Sequence, residues 1–376
     1  MTEFTIGLMS GTSADGVDGV VLACQPDRFK VKAFSSIGFP AELRRTLLAL
    51  NEPGENELHR AALAANELAR LYAQVVAELL KTSRLPASDV LAVGVHGQTV
   101  RHQPGQYDGL GYTLQINQPA LLAELCGIRV VADFRTRDLA AGGQGAPLVP
   151  AFHDAVFAQA EHTTVLLNLG GIANISVLPP LLNGDRVARQ IAGFDCGPGN
   201  ALMDAWCQIH TGHAYDADGR WAATGQLNAA LLARMLADPY FEKPPPKSTG
   251  RDLFNLAWLK QQLAGFDALP TADVQATLLG LTAQSAARAI DGFGAEATEV
   301  LVCGGGAYNG QLMESLAQAL AGRRVVSTDQ VGVAPLEVEA AAFAWLAYRH
   351  CHGLPANLPA VTGAQGDRIL GASYPA

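Results

Sequence analysis

The sequence has little charge: Asp, Glu, Lys and Arg make up only 16% of its 376 residues, against 49% hydrophobic residues. So apolar a chain has the means to bury a large interior, which excludes extensive disorder. Basic residues are the scarcer sign. The formal net charge is −9 and no Lys/Arg block occurs, so a general nucleic-acid binder is excluded. There is no uninterrupted apolar run of the roughly 20 residues that a membrane helix needs. The stretch Val165–Pro180 comes nearest and is broken by Asn168, Gly170 and Gly171. Met1–Phe4 carries an acid where a secretory signal would carry bases. Nor is there a CxxC pair: Cys24, Cys126, Cys196, Cys207, Cys303 and Cys351 are scattered. That usage fits reduced thiols in a cytoplasmic protein rather than a disulfide framework or a structural zinc site.

What is present is a recurring pattern. The length exceeds one ordinary core and predicts two domains of roughly 150–200 residues each. Short apolar runs end in glycine and acids and are followed by helix-like stretches. Phe4–Met9 and Gly19–Ala23 read as strands of a hairpin around Ser10–Asp18. Ala61–Lys81 has apolar residues at helical spacing, and Val90–Val95 and Arg129–Ala132 read as buried strands. The segment 142–150 (GGQGAPLVP) predicts the crossing into a second domain, after which strands Thr164–Leu169 and Ile172–Leu178 restart the pattern. Helices are expected near Ala201–His210, over Leu227–Leu236 and over Val274–Phe293 with Thr271 as N-cap. Lys243–Lys247 holds three prolines and reads as an exposed lid or hinge. Glu299–Cys303 is a further strand, followed by a helix from about Gly310 to Leu320 and a last one over Glu337–Tyr348. This α/β layout predicts domains at 1–145 and 146–336, with 337–376 packing back on the first.

Four motifs carry chemistry. In Gly11-Thr12-Ser13-Ala14-Asp15-Gly16-Val17-Asp18, glycines admit φ > 0, so that backbone N–H groups converge on an anion. The hydroxyls add donors, and the acids suit the waters of Mg²⁺. A plain hairpin turn uses the same residues. Asn168-Leu169-Gly170-Gly171-Ile172-Ala173-Asn174 ends a buried strand in Gly-Gly, which again suits phosphate or a simple hairpin. Gly304-Gly305-Gly306 follows a strand and lets a flat or charged group approach the backbone. Asp195 stands before a stiff Gly-Pro-Gly turn, placed either for general-base work or for capping the next helix. His96 ends a buried strand and lines a cleft or a capped turn. His350-Cys351-His352 looks like a metal tract, but neighbours at a helix end seldom converge on one ion, and no metal-ligating set is expected.

In this order the motifs resemble the actin, heat-shock ATPase and sugar kinase superfamily. The resemblance implies two ribonuclease-H-like domains around a central ATP cleft, each supplying a phosphate hairpin. It sharpens to the anhydro-N-acetylmuramic acid kinase family through Gly11–Asp18, His96–Thr99 with His102 and Pro104, Ala132–Arg135, and Gly142–Pro147. Asn168–Asn174, Phe194–Asn200, Lys247–Arg251, Thr271–Thr277 and Glu339–Trp345 extend it nearly end to end, while Gly105–Gly111 and Pro179–Arg189 look like variable surface loops.

That resemblance implies a reaction in which water opens the 1,6-anhydro bridge of the sugar while ATP phosphorylates O6. Asp195 matches the catalytic base, Glu339 a second acid of the sugar site, and Arg135, with His96, the sugar-binding set. Gly11, Thr12, Ser13, Ala14, Asp15, Gly16, Val17 and Asp18, together with Asn168, Gly170 and Gly171, would bind phosphates, and Gly304, Gly305 and Gly306 the adenosine. ATP and Mg²⁺ are the implied cofactors, and a homodimer is the expected assembly. Two other readings stay open from the residues alone: a kinase of the superfamily acting on another sugar or a carboxylate, and a nucleotide-switched binding protein.

Overall fold

The computed structural model describes residues 2–11, 13–26, 28–181, 189–250 and 253–376. Thr12 and Arg251, both in motifs named above, lie outside the described residues, as does most of the Pro179–Arg189 stretch. The chain divides into two compact units, residues 1–156 with 336–376, and residues 157–335.

The first unit is built on strands β1 (Glu3–Met9), β2 (Gly16–Gln25) and β3 (Arg28–Gly38), which pair antiparallel in sequence. Strands β4 (Val90–Val95) and β7 (Val130–Ala132) join parallel on the far side of β1, with β5 (Gln98–Pro104) and β6 (Gly111–Ile116) forming a separate hairpin. A last strand, β13 (Ala372–Tyr374), closes the order β13-β7-β4-β1-β2-β3. Successive side chains of a strand point to opposite faces, and both faces here are covered. Gly19 faces Val75 and Leu79 of the helix Glu57–Ser83, where an added Cβ would stand 2.4 and 3.0 Å from them. On the other face, Gly7 and Gly94 admit the helix Glu337–Cys351. A Cβ at Gly7 would stand 1.9 Å from the Ala340 carbonyl oxygen, and one at Gly94 2.1 Å from that of Phe343. The small side chains of Ala344 and Ala347 complete this close helix–sheet contact.

The second unit repeats the plan. Strands β8 (Thr164–Leu169), β9 (Ile172–Leu178) and β10 (Ala192–Pro198) pair antiparallel, and β11 (Glu299–Cys303) and β12 (Arg324–Ser327) continue parallel from β8. The helix Thr271–Phe293 supplies much of the core, burying Leu278, Leu281, Ala286 and Ile290 among others. Strand order third-second-first-fourth-fifth, with three antiparallel and then two parallel strands, occurs in both units. This is the ribonuclease-H-like arrangement of actin-like ATPases, present twice in a chain without a visible sequence repeat. Topology is kept by burial pattern rather than by residue identity.

Three local expectations change. The 142–150 loop lies within the first unit, where Gly145 N–H donates to Asp138 Oδ2 at 2.8 Å and Gln144 N–H to the Thr362 carbonyl at 2.7 Å. The chain passes to the second unit only after the helix Val149–Phe157 has begun. Thr271 is the first helical residue rather than the N-cap, and Pro270 stands before it with no side-chain cap. Lys247, expected on an exposed segment, is half-buried against the rings of Tyr240 and Phe194 at 4.8 and 5.6 Å.

Candidate active site

In the first unit the parallel strands β1, β4 and β7 end at the same edge of the sheet. They deliver Ser10, His96 and, two residues past Asp133, Arg135 to that edge. Hydrogen bonds join these ends into one chain. Arg135 donates from Nε and Nη2 to His96 Nε2 at 3.1 and 2.9 Å, and from Nη1 to the Gly145 carbonyl at 2.8 Å. His96 Nδ1 lies 3.3 Å from the Ser10 carbonyl. Because Nε2 accepts from a guanidinium, which has no lone pair to offer, the ring proton sits on Nδ1 and points to Ser10. Burial, reinforced by the Arg135 charge, holds the His96 pKa well below its usual range, so the ring is neutral. Ser10 Oγ donates to Gln98 Oε1 at 2.7 Å, and Gln98 Nε2 donates to the Gly11 carbonyl at 2.9 Å. A buried relay thus ties Arg135 to the turn that begins at Gly11.

That turn departs from the expected glycine chemistry. Among its described residues Ala14 has positive φ, at 51°, and neither Gly11 nor Gly16 adopts that region. Gly16 is required by sheet pairing, since its Cβ would stand 2.5 Å from the Ile37 carbonyl. Gly11 is different: an added Cβ would meet only Ser13 Oγ, at 3.8 Å. The acids also divide. Asp15 pairs outward with Arg44 at 3.0 Å, whereas Asp18 is raised above its usual carboxylate pKa, chiefly by burial and against a hydrogen bond from Ser36.

Glu339 lies in the first turn of the helix Glu337–Cys351. One turn along, Phe343 packs against the His96 and Phe134 rings at 4.7 and 5.6 Å. His350 and His352 go separate ways, to the Leu370 carbonyl at 2.8 Å and to Glu3 at 2.9 Å. Among the described residues no group of three or more His, Cys, Asp or Glu is arranged to hold a metal ion.

In the second unit three motifs meet. Asn200 N–H and Gly199 N–H donate to the carbonyls of Gly170 and Gly171 at 2.8 and 3.0 Å, and Asn200 Nδ2 to that of Leu169 at 2.8 Å. A Cβ at Gly199 would lie 2.2 Å from the Gly170 oxygen, so the Gly-Pro-Gly turn sits directly on the Gly-Gly loop. Gly304 and Gly306 press on the same loop, where their Cβ atoms would meet Asn168 Oδ1 at 2.5 Å and the Leu169 Cβ at 2.6 Å. Asn168 Oδ1 is buried without a partner among the described residues. Gly170 and Gly305, like Gly11, have negative φ and room for a side chain: their nearest neighbours lie at 3.7 Å. Nothing among the described residues requires glycine at these three places, and an open backbone there is what a ligand lying against it would need.

Asp195 stands beside a bulge in β10, between the pairings Asp195↔Asn174 and Gly197↔Ala173. Its Oδ2 accepts the Thr249 N–H at 2.9 Å, and its carbonyl accepts the Tyr240 hydroxyl at 2.6 Å. The next helix starts at Ala201 with Asn200 as N-cap, so Asp195 does not cap it. Lys247 donates to the carbonyls of Tyr240 and Phe241, and its pKa is lowered, chiefly by burial. Thr249, Lys247 and Tyr240 are site residues that sequence reasoning did not single out. Lys247 and Thr249 lay inside a family-like segment, but nothing local tied that segment to Asp195.

Two ribonuclease-H-like sheets, each with glycine loops at strand ends, define the fold class of the actin-like ATPases and sugar kinases. A profile of the anhydro-N-acetylmuramic acid kinase family matches residues 3–376. The anhydro-N-acetylmuramic acid kinase of Variovorax paradoxus (strain S110) is 59% identical over 374 residues, covering 100% of this chain and 99% of that protein. Those of Bordetella pertussis (58% over 374 residues; 99% and 96%) and Cupriavidus metallidurans (53% over 376 residues; 100% and 98%) match similarly. The chain belongs to the anhydro-N-acetylmuramic acid kinase family, and it is a kinase.

Proposed function

We propose that the enzyme uses ATP to phosphorylate O6 of 1,6-anhydro-N-acetylmuramic acid while water opens the anhydro bridge. The product is N-acetylmuramic acid 6-phosphate, as peptidoglycan recycling and amino sugar catabolism require. Water adds at C1, the C1–O6 bond breaks, O6 takes the γ-phosphoryl group and ADP leaves. The water's proton passes to Asp195. An inverting glycosidase needs a second carboxyl group to protonate the leaving oxygen. Here phosphorus captures that oxygen, so one base suffices, with Glu339 orienting water or sugar hydroxyls and Arg135 holding the lactyl carboxylate.

The observation that carries this reading is the setting of Asp195. Its carboxylate is fixed at a strand bulge by a main-chain N–H and is not spent on capping a helix. Such fixing holds the carboxylate in one position, as a general base requires. Gly11, Ser13, Gly170 and Gly171 would lie along the phosphates, and the adenosine would lie by Gly304, Gly305 and Gly306. Asp18 fits a role beside Mg²⁺, since a carboxyl kept from water gains most from a cation nearby. Asp15 and Asp18 would act on the ion through its waters. When bound, Mg²⁺ supplies charge neutralisation at the transferring phosphoryl group. No helix is long and apolar enough to cross a membrane among the described residues, and cytoplasmic location and a homodimer belong to the same proposal.

The test is direct. Incubation with ATP, Mg²⁺ and the anhydro sugar in ¹⁸O-labelled water should give a 6-phosphate carrying the label at C1, read by mass spectrometry. A phosphorylated product with the bridge intact, or no phosphorylated sugar, would overturn the reading.

A further inference from the structure

Asp138 is fully buried, and the proposed mechanism does not use it. It lies in the short helix Thr136–Leu139 that follows Arg135. A buried carboxyl group is kept in a fold only where hydrogen bonds satisfy it. Among the described residues three donors meet this one, from two separate segments. Oδ2 accepts the Gly145 N–H at 2.8 Å. Oδ1 accepts Asn357 Nδ2 at 2.9 Å and the Thr362 hydroxyl at 2.8 Å, from residues 219 and 224 places further along the chain. Asn357 and Thr362 are themselves buried. Main-chain bonds pin the same two segments together: Gln144 N–H donates to the Thr362 carbonyl and Gln365 N–H to that of Ala141, both at 2.7 Å.

What the carboxylate fixes is the Gly145 residue. Its N–H is held by Asp138, and its carbonyl accepts Arg135 Nη1 at 2.8 Å. Its φ is +68°, and a Cβ would stand 2.1 Å from Leu139 Cδ1, so only glycine fits this seat. Gly143 lets the loop fold over the carboxylate, since its own Cβ would stand 2.3 Å from Asp138 Oδ2. The Arg135 guanidinium is thus gripped by His96 and by the Gly145 carbonyl. The first grip comes from the sheet edge. The second depends on a loop that Asp138 ties to the C-terminal segment. A long, flexible side chain fixed in advance leaves less ordering to be done when a ligand binds.

We infer that Asp138, with Thr362 and Asn357, positions Arg135 for the sugar by holding the Gly145 carbonyl, while touching no substrate itself. This rests on the sugar-binding reading of Arg135. The test measures KM for the anhydro sugar and for ATP, with kcat and Tm, in a set of variants. Thr362→Val keeps the side-chain shape and removes one donor, so the sugar KM should rise about fivefold while the ATP KM stays within about twofold. Thr362→Ser restores the hydroxyl and should bring the sugar KM back to within about twofold of the parent. Asp138→Asn turns an amide toward a donor and should raise the sugar KM further; if it does not fold, the Thr362 pair decides. In an Arg135→Ala background Thr362→Val should leave the sugar KM within about twofold, because the group it positions is gone. If Arg135→Ala alone leaves the sugar KM unchanged, the underlying reading fails. If Arg135→Ala raises it and Thr362→Val does not, Arg135 keeps its role and the positioning inference is overturned. An undiminished Thr362→Val effect without Arg135, or equal rises in both KM values, would mark a merely structural role and overturn it as well.

Discussion

Replacing Asp195 with Asn separates chemistry from architecture. The carboxylate's described bond is to the Thr249 N–H at 2.9 Å, and an Asn carbonyl can accept it in the same place. The Tyr240 hydroxyl binds the Asp195 main-chain carbonyl and is untouched. Folding therefore loses the difference between a charge-assisted and a neutral hydrogen bond, about 1 kcal/mol. For a chain of 376 residues the Tm should fall only about 1–2 °C. On the proposed assignment, catalysis loses its proton acceptor outright. Removing a positioned base costs about 10²–10⁴-fold in rate, or about 3–5 kcal/mol of barrier. Because bridge opening and capture of O6 are coupled, both products should disappear together. The assay is a coupled ADP-release measurement with the anhydro sugar, alongside calorimetric titration of ATP and a thermal melt. Near-normal kcat in a folded Asp195→Asn protein would refute the assignment and make Glu339 the next candidate.

Gly305→Ala should leave stability unchanged or slightly raised, by about 0.4–1 kcal/mol, because its Cβ meets nothing closer than Asn200 Nδ2 at 3.7 Å. The KM for ATP should nevertheless rise tenfold or more, and an unchanged KM would remove this glycine from the nucleotide site. Gly7→Ala should do the reverse, costing about 3 kcal/mol or more in denaturant unfolding, because its Cβ would stand 1.9 Å from the backbone of the helix bearing Glu339. Arg135→Ala should weaken sugar binding by about 2–5 kcal/mol with ATP binding retained, as KM values for the two substrates would reveal. Acid should destabilise the fold from about pH 6.5 downward. His102 and His153 have folded pKa values lowered from 6.5 to about 4 and about 3, chiefly by burial. The unfolded chain therefore binds protons first, and stability present above pH 6.5 is lost as pH falls. His153 alone should account for about 2–3 kcal/mol at pH 4.5, and a flat Tm between pH 7 and 4.5 would contradict this.

The strands were legible because their burial is continuous: β8 is buried at every position, as its Val-Leu-Leu run predicts. The glycine loops were legible as loops, but the reason for each glycine was not. Gly11 and Gly16 sit in one motif, and only the fold shows that Gly16 answers to Ile37 across the sheet while a Cβ at Gly11 would meet only Ser13 Oγ, at 3.8 Å, among the described residues. Positive φ fell to Ala14, which no composition rule would select. The setting of Asp195 was half visible. The strand and the stiff turn could be read, but Thr249 and Tyr240 reach it from 54 and 45 residues away, across a segment whose prolines suggested exposure. Local patterns report on backbone conformation, and contacts between distant segments leave no local trace.

Edge geometry explains why the candidate residues fall where they do. In each unit β1-like and β4-like strands run parallel, so their carboxyl ends open at one side of the sheet. Open α/β sheets bind ligands at that side. Ser10, His96 and Arg135 follow such ends in the first unit, and Gly170 and Gly304 do so in the second. Strand β10 runs antiparallel to β9, which runs antiparallel to β8, so β10 points the same way as β8 and carries Asp195 toward the same edge. A one-residue slip in the β9–β10 pairing would turn the Asp195 side chain to the opposite face. The pairing shifts just after Asp195, and the Thr249 N–H holds its carboxylate in place. The Thr249 N–H cannot be removed by changing its side chain, but proline at 249 would remove it. Thr249→Pro should therefore cut kcat as deeply as loss of the base while the Asp195 carboxylate remains in the sequence. If Thr249→Pro folds and turns over normally, the carboxylate does not depend on that N–H for its position.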